Sequence, residues 1–404
     1  MPKAFTSALG CKVSHCDNAE AEKLLAAAGF ELIKDPKDAN LCLITACTVT
    51  QKADADLRKL VRRCKKANPQ TKVFVYGCWA NIAERHEPIE ELDGVIKGKE
   101  KLEELIKPLA AVPQAPPASS RNRAFIKVQD GCNRFCAYCI VPFARGNPKS
   151  VPFAEVKAQV LEAQKAGLLE CVLSGIHLAA WREGEKDIAD LCAGILKETD
   201  LPRLRVSSLD VTGASKKLRR LMQENPRLLP QLHIPLQSGS DRVLKLMNRP
   251  VARGEVLDAM AAFLEEVPRM MISTDIIVGF PGESEEDFSE TLSFVEKIPF
   301  GKVHYFPYSP RPGTAAAQRT KDFIPASVKK EREERLRLAA EKAAARCRAP
   351  FVGQTFRVLT ENKSAKGWLG FTENYLRVCS KRDLRPNQIV ELKIDNKETV
   401  FVSQ

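Results

Sequence analysis

Between Ala124 and Pro307 the chain alternates regularly between short apolar runs and longer helical ones. The six apolar runs are Ala124–Gln129, Glu170–Ser174, Arg203–Ser208, Gln231–Leu236, Met271–Val278 and Lys302–Pro307. The helical stretches between them include Phe153–Ala166, Asp187–Glu198, Arg253–Glu266 and Glu285–Lys297. Strands that alternate with helices form a parallel sheet. Eight such units would close a full barrel, so six predict an incomplete one, a partial (βα)6 TIM-like barrel. Its site belongs at the carboxyl ends of the strands. The chain is therefore expected to be α/β, with this barrel as its centre.

The loop that leaves the first barrel strand carries Asp130-Gly131-Cys132-Asn133-Arg134-Phe135-Cys136-Ala137-Tyr138-Cys139, three cysteines at C-x3-C-x2-C spacing. Thiolates are the ligands of iron–sulfur clusters, and a four-iron cluster held by three of them keeps one iron open for chemistry. A structural zinc site needs a fourth ligand. No Cys or His follows within thirty residues, and the next His is His177. A disulfide framework belongs to small secreted chains, and this chain has 404 residues and an odd count of 13 cysteines.

The first segment has the same alternation on a smaller scale. Strands are expected at Lys3–Ala8, Leu41–Thr45 and Lys72–Tyr76, and helices at about Cys16–Ala28 and Ala53–Ala67. Each strand runs into a cysteine: Cys11, Cys47 and Cys78. Open α/β sheets build sites outside the carboxyl ends of their strands, so three loops there can gather three thiols that are distant in sequence. Ordinary buried or surface cysteines are the alternative. Cys42, inside an apolar strand, and Cys64, on a helix, are assigned to it. Cys16 reads as a helix residue, with ligation the alternative.

Residues 1–110 thus form a small parallel α/β domain, and 111–121, rich in Pro and Ser, a linker. Residues 122–348 form the barrel domain, ending in a charged helix from Ser327 to about Arg348 whose mixed signs predict a solvated face. Residues 349–404 contain short alternating runs at Gln354–Leu359, Tyr375–Cys379, Ile389–Ile394 and Thr399–Val402, the pattern of a small β-barrel. From Arg348 onward there are ten Lys/Arg against six Asp/Glu. Arg377, Lys381, Arg382 and Arg385 cluster near Tyr375, a candidate phosphate-contacting face; a β-module with no such role would look similar.

Composition agrees with a soluble globular protein, with 44% hydrophobic and 28% charged residues. The first residues lack the apolar core of a signal peptide, and no apolar run is long enough to span a membrane. A cytoplasmic location is expected. The net charge of +12 suits a polyanionic partner.

Taken together, the motifs resemble the methylthiotransferase family of radical S-adenosylmethionine (AdoMet) enzymes over nearly the whole chain. The resemblance is carried by Leu9-Gly10-Cys11-Lys12, Thr45-Ala46-Cys47-Thr48-Val49-Thr50 and Tyr76-Gly77-Cys78-Trp79-Ala80 in the first segment. In the barrel it is carried by the three-cysteine loop, His233-Ile-Pro-Leu-Gln237-Ser238-Gly239-Ser240-Asp241, Asp275-Ile-Ile-Val-Gly279-Phe280-Pro281-Gly282-Glu283 and Tyr308-Ser309-Pro-Arg311-Pro-Gly313-Thr314. The tail resembles the TRAM domain, an RNA-binding β-barrel.

The resemblance implies two [4Fe-4S] clusters, a radical one on Cys132, Cys136 and Cys139 and an auxiliary one on Cys11, Cys47 and Cys78. It implies two AdoMet molecules per turnover. One donates a methyl group to the inserted sulfur, and the other yields the radical that activates a C–H bond. It places Tyr138 by the adenine and Ser174-Gly175 by the methionyl amino group. Ser208, Asp210, Gln237 and the Gly279-Phe280 turn become candidates for the remaining AdoMet contacts. A tRNA substrate, a sulfur source and an electron donor such as flavodoxin or ferredoxin are implied, with no membrane.

Leu9 to Lys12 and Ser174-Gly-Ile-His177-Leu resemble the branch acting on N6-threonylcarbamoyladenosine beside the anticodon, whose product is the 2-methylthio derivative. Alternatives are isopentenyladenosine in tRNA, an aspartate of a ribosomal protein, or a non-catalytic metal-stabilised RNA-binding protein. The sequence departs from the family pattern at Ser14, where Asn is usual, at Thr45-Ala46, where Asn-Thr is usual, and at Asp210, where Glu is usual. Ala46 cannot donate a side-chain hydrogen bond to a cluster sulfur, which bears on how an auxiliary cluster would be tuned.

Overall fold

The computed structural model describes residues 1–106 and 122–402; the expected linker lies outside the described residues. The described chain divides into two compact units. The first takes the described residues of 1–119 with Gly131–Asn147 and Ser309–Gln318; the second takes the remainder.

The first unit is built on a five-stranded sheet of β1 (Lys3–Leu9), β2 (Glu31–Ile33), β3 (Leu41–Ala46), β4 (Lys72–Tyr76) and β5 (Gly94–Ile96), in the order β2-β1-β3-β4-β5. Every pairing is parallel. Its helices are α1 (Lys12–Ala27), α2 (Gln51–Ala67), α3 (Cys78–Asn81), α4 (Gly98–Ile106) and α5 (Val141–Arg145). The central strand β3 is buried along its whole length. Leu57 and Val61 of α2 cover one face of the sheet, and Ala21 and Leu25 of α1 with Leu102 and Ile106 of α4 cover the other. The edge strands β2 and β5 are not legible in the sequence because three residues hold no measurable period. Helix α1 starts four residues earlier than expected; its cap is Cys11, which makes no side-chain capping bond and so leaves no start signal. Cys42 and Cys64 are free, fully buried core thiols, and the Cys42 sulfur lies 3.5 Å from the Thr71 hydroxyl.

The second unit holds the barrel strands β6 (Arg123–Asp130), β7 (Lys149–Ser150), β8 (Glu170–Gly175), β9 (Arg203–Val206), β10 (Gln231–His233), β11 (Met271–Val278) and β12 (Lys302–Pro307). They form ladders β7-β6-β8-β9 and β10-β11-β12. Single bridges Leu204–Leu228 and Ser208–His233 continue the curl between them. Apart from the two-residue antiparallel β7, the strands are the six parallel ones expected. The helices are α6 (Phe153–Lys165), α7 (Ile188–Glu198), α8 (Lys216–Glu224), α9 (Asp241–Leu246), α10 (Arg253–Glu266), α11 (Glu285–Lys297) and α12 (Ala326–Arg348). Helices α8 and α9 are additions to the expected set, and α8 buries only Leu218 and Met222 among charged neighbours. Helix α12 corrects the expectation of a solvated face: Leu336, Ala339, Ala343 and Cys347, at three- and four-residue spacing, are buried on one side. Small alanines carry that stripe, so charge dominates the sequence pattern.

The tail is an antiparallel sheet of β13 (Thr355–Ser364), β14 (Gly367–Phe371), β15 (Arg377–Ser380), β16 (Ile389–Lys393) and β17 (Thr399–Phe401), ordered β16-β13-β14-β15-β17. Strand β14 has no sequence signal because its five residues include two glycines. The sheet docks on the amino ends of the barrel strands. There Arg123, Glu170 and Arg203 stand opposite one another on β6, β8 and β9. Arg203 donates to the carbonyls of Arg357 and Thr372, and the Arg205 guanidinium lies 4.5 Å from the Tyr375 ring centre. Tyr375 stacks on Phe371 at 4.6 Å. Its ring therefore belongs to this junction and not to an open phosphate-contacting face; Lys381, Arg382 and Arg385 do remain exposed.

Candidate functional site: two cysteine triads

Strands β1, β3 and β4 are neighbours in the first sheet, and each delivers a cysteine at its carboxyl end. Cys11 caps α1 and is exposed, Cys47 follows β3, and Cys78 opens α3; the last two are buried. The amide of Cys47 donates to the carbonyl of Leu9 at 2.9 Å, which carries the β1–β3 ladder out to the thiols. The approach depends on Gly10. A Cβ there would stand 2.2 Å from the Cβ of Cys47, and its φ of +122° is one that side chains avoid. Gly10→Ala is therefore expected to cost about 1–3 kcal/mol of stability from backbone strain alone and to reduce iron uptake. Urea unfolding and iron analysis check both.

Charge is distributed unevenly among these thiols. A hydrogen bond from Cys47 to the Cys11 sulfur holds the Cys11 thiol below its ordinary value. The same bond, with burial, pushes Cys47 up. Burial raises Cys78 to about 11 although Arg145 opposes it. A cationic ligand would draw the protons off all three thiols.

The C-x3-C-x2-C loop lies in the same unit. Gly131 (φ +76°) enters it with no room for a side chain, since a Cβ would meet the Asn147 carbonyl oxygen at 2.1 Å. The amide of Cys132 donates to Gly146 and that of Cys139 to Cys136, each at 2.9 Å. Ala316, from the segment after the last barrel strand, donates its amide to the carbonyl of Ala137 at 2.8 Å. Burial raises Cys139 to about 12. Cys136 is buried, and Cys132, Tyr138 and Cys139 are half-buried.

Each triad is a set of three thiols with no carboxylate or imidazole among them, the donor chemistry of an iron–sulfur cluster. Among the described residues no three His, Cys, Asp or Glu side chains stand close enough to hold a single metal ion. A four-iron cluster offers a separate iron to each thiolate, and the donor sets fit it.

The other candidates lie in the second unit, at or beyond the carboxyl ends of barrel strands. Ser174 and Gly175 end β8; Ser174 is fully buried and its Oγ has no partner among the described residues. Ser208 is exposed just past β9. Asp210 caps the following turn at Thr212 and faces Arg249 at 3.4 Å. Gln237 takes a positive φ of 82° beyond β10. Gly279 follows β11 and donates its amide to Glu283 at 2.8 Å. Phe280 is fully buried, edge-on to Tyr308. His177 is half-buried, with its amide bonded to Gln129.

Three side chains of the first unit are not among the site residues expected from the sequence. Arg145 donates from Nε to Cys78 Sγ at 2.8 Å and reaches Asp17 at 2.6 Å. Arg311, only 2% exposed, binds Thr48 and Asp54 at 3.0 and 2.7 Å, in the first unit like its partners. Arg311 lies inside one of the family motifs, which could have drawn attention to it; Arg145 and Asp17 stand in none.

Residues 126–295, which include the three-cysteine motif, match the Radical SAM superfamily, the class of radical AdoMet enzymes. Residues 3–97 match the uncharacterized protein family UPF0004. A threonylcarbamoyladenosine tRNA methylthiotransferase MtaB of Bacillus subtilis is 32% identical, over 96% of this chain and 92% of that protein. Its namesake from Chlamydia pneumoniae is 33% identical over 96% and 94%. A tRNA-2-methylthio-N(6)-dimethylallyladenosine synthase of Chloroflexus aurantiacus is 31% identical over 96% and 87%. Among solved structures, the radical AdoMet methyltransferase TsrM of Kitasatospora setae shares the fold, with a TM-score of 0.59 at 12% identity over 78% of this chain and 75% of that one. The chain belongs to the tRNA methylthiotransferase family of radical SAM enzymes. A [4Fe-4S] cluster and AdoMet come with that membership. No helix among the described residues is long and apolar enough to cross a membrane.

Proposed function

We propose that this enzyme carries two four-iron clusters and converts N6-threonylcarbamoyladenosine beside the anticodon of tRNA to its 2-methylthio derivative. The observation that carries the proposal is the first triad: Cys11, Cys47 and Cys78 at the ends of three adjacent strands, in the unit that also holds Cys132, Cys136 and Cys139. The latter three would hold the radical cluster and the former the auxiliary one, with two AdoMet molecules used per turnover. Bound there, these groups supply one-electron chemistry at a C–H bond too weakly acidic for a side-chain base.

The chain's own residues would bind and orient. The unpartnered Ser174 Oγ supports an AdoMet contact at Ser174-Gly175. Tyr138, Ser208, Gln237 and the backbone at Gly279 are the further candidates. Asp210 would act through the Arg249 pair, and Phe280 by holding the Gly279 turn. Exposed Lys381, Arg382 and Arg385 suit RNA phosphates, and contacts of that kind weaken as salt rises. An electron donor such as flavodoxin or ferredoxin and a sulfur source complete the reaction, which is expected in the cytoplasm.

Support for the threonylcarbamoyl substrate comes from Leu9–Lys12, from Ser174–Leu178 and from the names of the Bacillus and Chlamydia relatives. The test is anaerobic reconstitution, addition of AdoMet, reductant and tRNA, and mass spectrometry of the nucleosides. A methylthio group on threonylcarbamoyladenosine is the expected product. The same group on dimethylallyladenosine would move the enzyme to the other tRNA branch. Deoxyadenosine with no modified nucleoside would redirect the search to a protein substrate.

A further inference from the structure

One guanidinium joins the two cysteine triads within the first unit. Arg145 ends α5, the short helix that begins two residues after Cys139. Its Nε donates to Sγ of Cys78 at 2.8 Å and its Nη2 to Oδ2 of Asp17 at 2.6 Å. Asp17 sits on α1, the helix capped by Cys11. The Arg145 and Asp17 side chains are 6% and 4% exposed, so water does not screen the pair. The arginine is also held from behind. Asn81 Nδ2 donates to the Ala144 carbonyl at 2.9 Å, and Cys78, Ile82, Ile140 and Ala144 form an apolar cluster.

A cluster's reduction potential depends on its net charge and on hydrogen bonds to its sulfurs. A buried cation bonded to a ligating sulfur favours the more negative, reduced form. A carboxylate beside that cation acts in the opposite sense. We propose that Arg145 is a positioning residue that raises the reduction potential of a cluster held by Cys11, Cys47 and Cys78, and that Asp17 fixes the guanidinium while offsetting part of its charge. The loop that follows the radical triad thereby tunes the other triad. This rests on the two-cluster reading above.

The experiment uses the full chain carrying Cys132→Ala, Cys136→Ala and Cys139→Ala, reconstituted with iron and sulfide, and follows the cluster's paramagnetic signal during a reductive titration. Arg145→Gln is expected to lower the reduced-to-oxidised ratio at the parent's midpoint about tenfold, which for one electron is about 59 mV. Arg145→Lys, keeping charge but losing the aimed Nε, should fall less. Asp17→Asn should move the ratio the other way. The proposal is overturned if the Arg145 variants load their iron and the ratio changes less than about twofold, or if Asp17→Asn shifts it in the same direction as Arg145→Gln. If Arg145→Gln loses iron, Arg145→Lys and Asp17→Asn decide the sign. If the parent takes up no iron, the two-cluster reading fails and the proposal falls with it. That result is distinct from a loaded cluster whose potential does not move.

Discussion

Replacing Cys11, Cys47 and Cys78 with alanine is expected to abolish methylthio insertion while AdoMet cleavage continues; replacing Cys132, Cys136 and Cys139 should abolish both. Iron should drop from about eight to about four atoms per chain in either case. The two triads draw their thiols from different segments, which is why the effects should separate. The first hangs on the ends of β1, β3 and β4; the second is set by amide bonds from Cys132 to Gly146 and from Ala316 to Ala137. Losing one set of thiols leaves the backbone bonds that hold the other set in place. Nucleoside mass spectrometry together with deoxyadenosine measurement reads the split. A first-triad variant that still produced methylthiolated nucleoside would sink the auxiliary-cluster assignment.

The second large effect concerns stability. Glu170 is fully buried and bonded by Arg203 Nε at 2.7 Å and Arg205 Nε at 2.9 Å. Both guanidiniums are about as buried as the carboxylate, and both also reach backbone carbonyls of the tail, Arg203 that of Arg357 and Arg205 that of Glu373. Glu170→Ala leaves two buried cations without their anion, a change that costs about 3–5 kcal/mol. Burial alone would push the Glu170 carboxyl up; Arg205 and Arg203 outweigh it and hold the group at about 2, below its ordinary 4.5. A depressed carboxyl stabilises the fold above its unfolded value and loses that contribution as pH falls through the folded one. The stability gap between parent and Glu170→Ala should therefore be full at neutral pH and narrow between about pH 4.5 and 2. Urea midpoints across that range measure it, and a gap that did not change with pH would contradict this account.

Elements with a repeating local signal are legible in the sequence. The barrel strands alternate with helices over nearly two hundred residues, and the three-cysteine loop has its ligands within eight positions, so both can be read by period and spacing. Short elements cannot. The edge strands β2 and β5, the glycine-bearing β14 and the capless start of α1 lack enough residues or the right cap to signal themselves.

The same division runs through the site. Cys11, Cys47 and Cys78 can be nominated because each ends a recognisable strand, and strand ends converge in a parallel sheet. Their electrostatic setting cannot. Arg145 lies 67 residues from Cys78 and 128 from Asp17, and nothing local in any of the three predicts the other two. Tyr375 makes the complementary point. Its basic neighbours suggest an RNA-facing ring, yet packing against Phe371 and Arg205 turns it into the barrel junction. Local chain chemistry establishes which segments become strands and which thiols end them, because those preferences act between near neighbours. Partners for buried charges and rings follow from which distant segments share an interior, where an unpaired charge is too costly to leave.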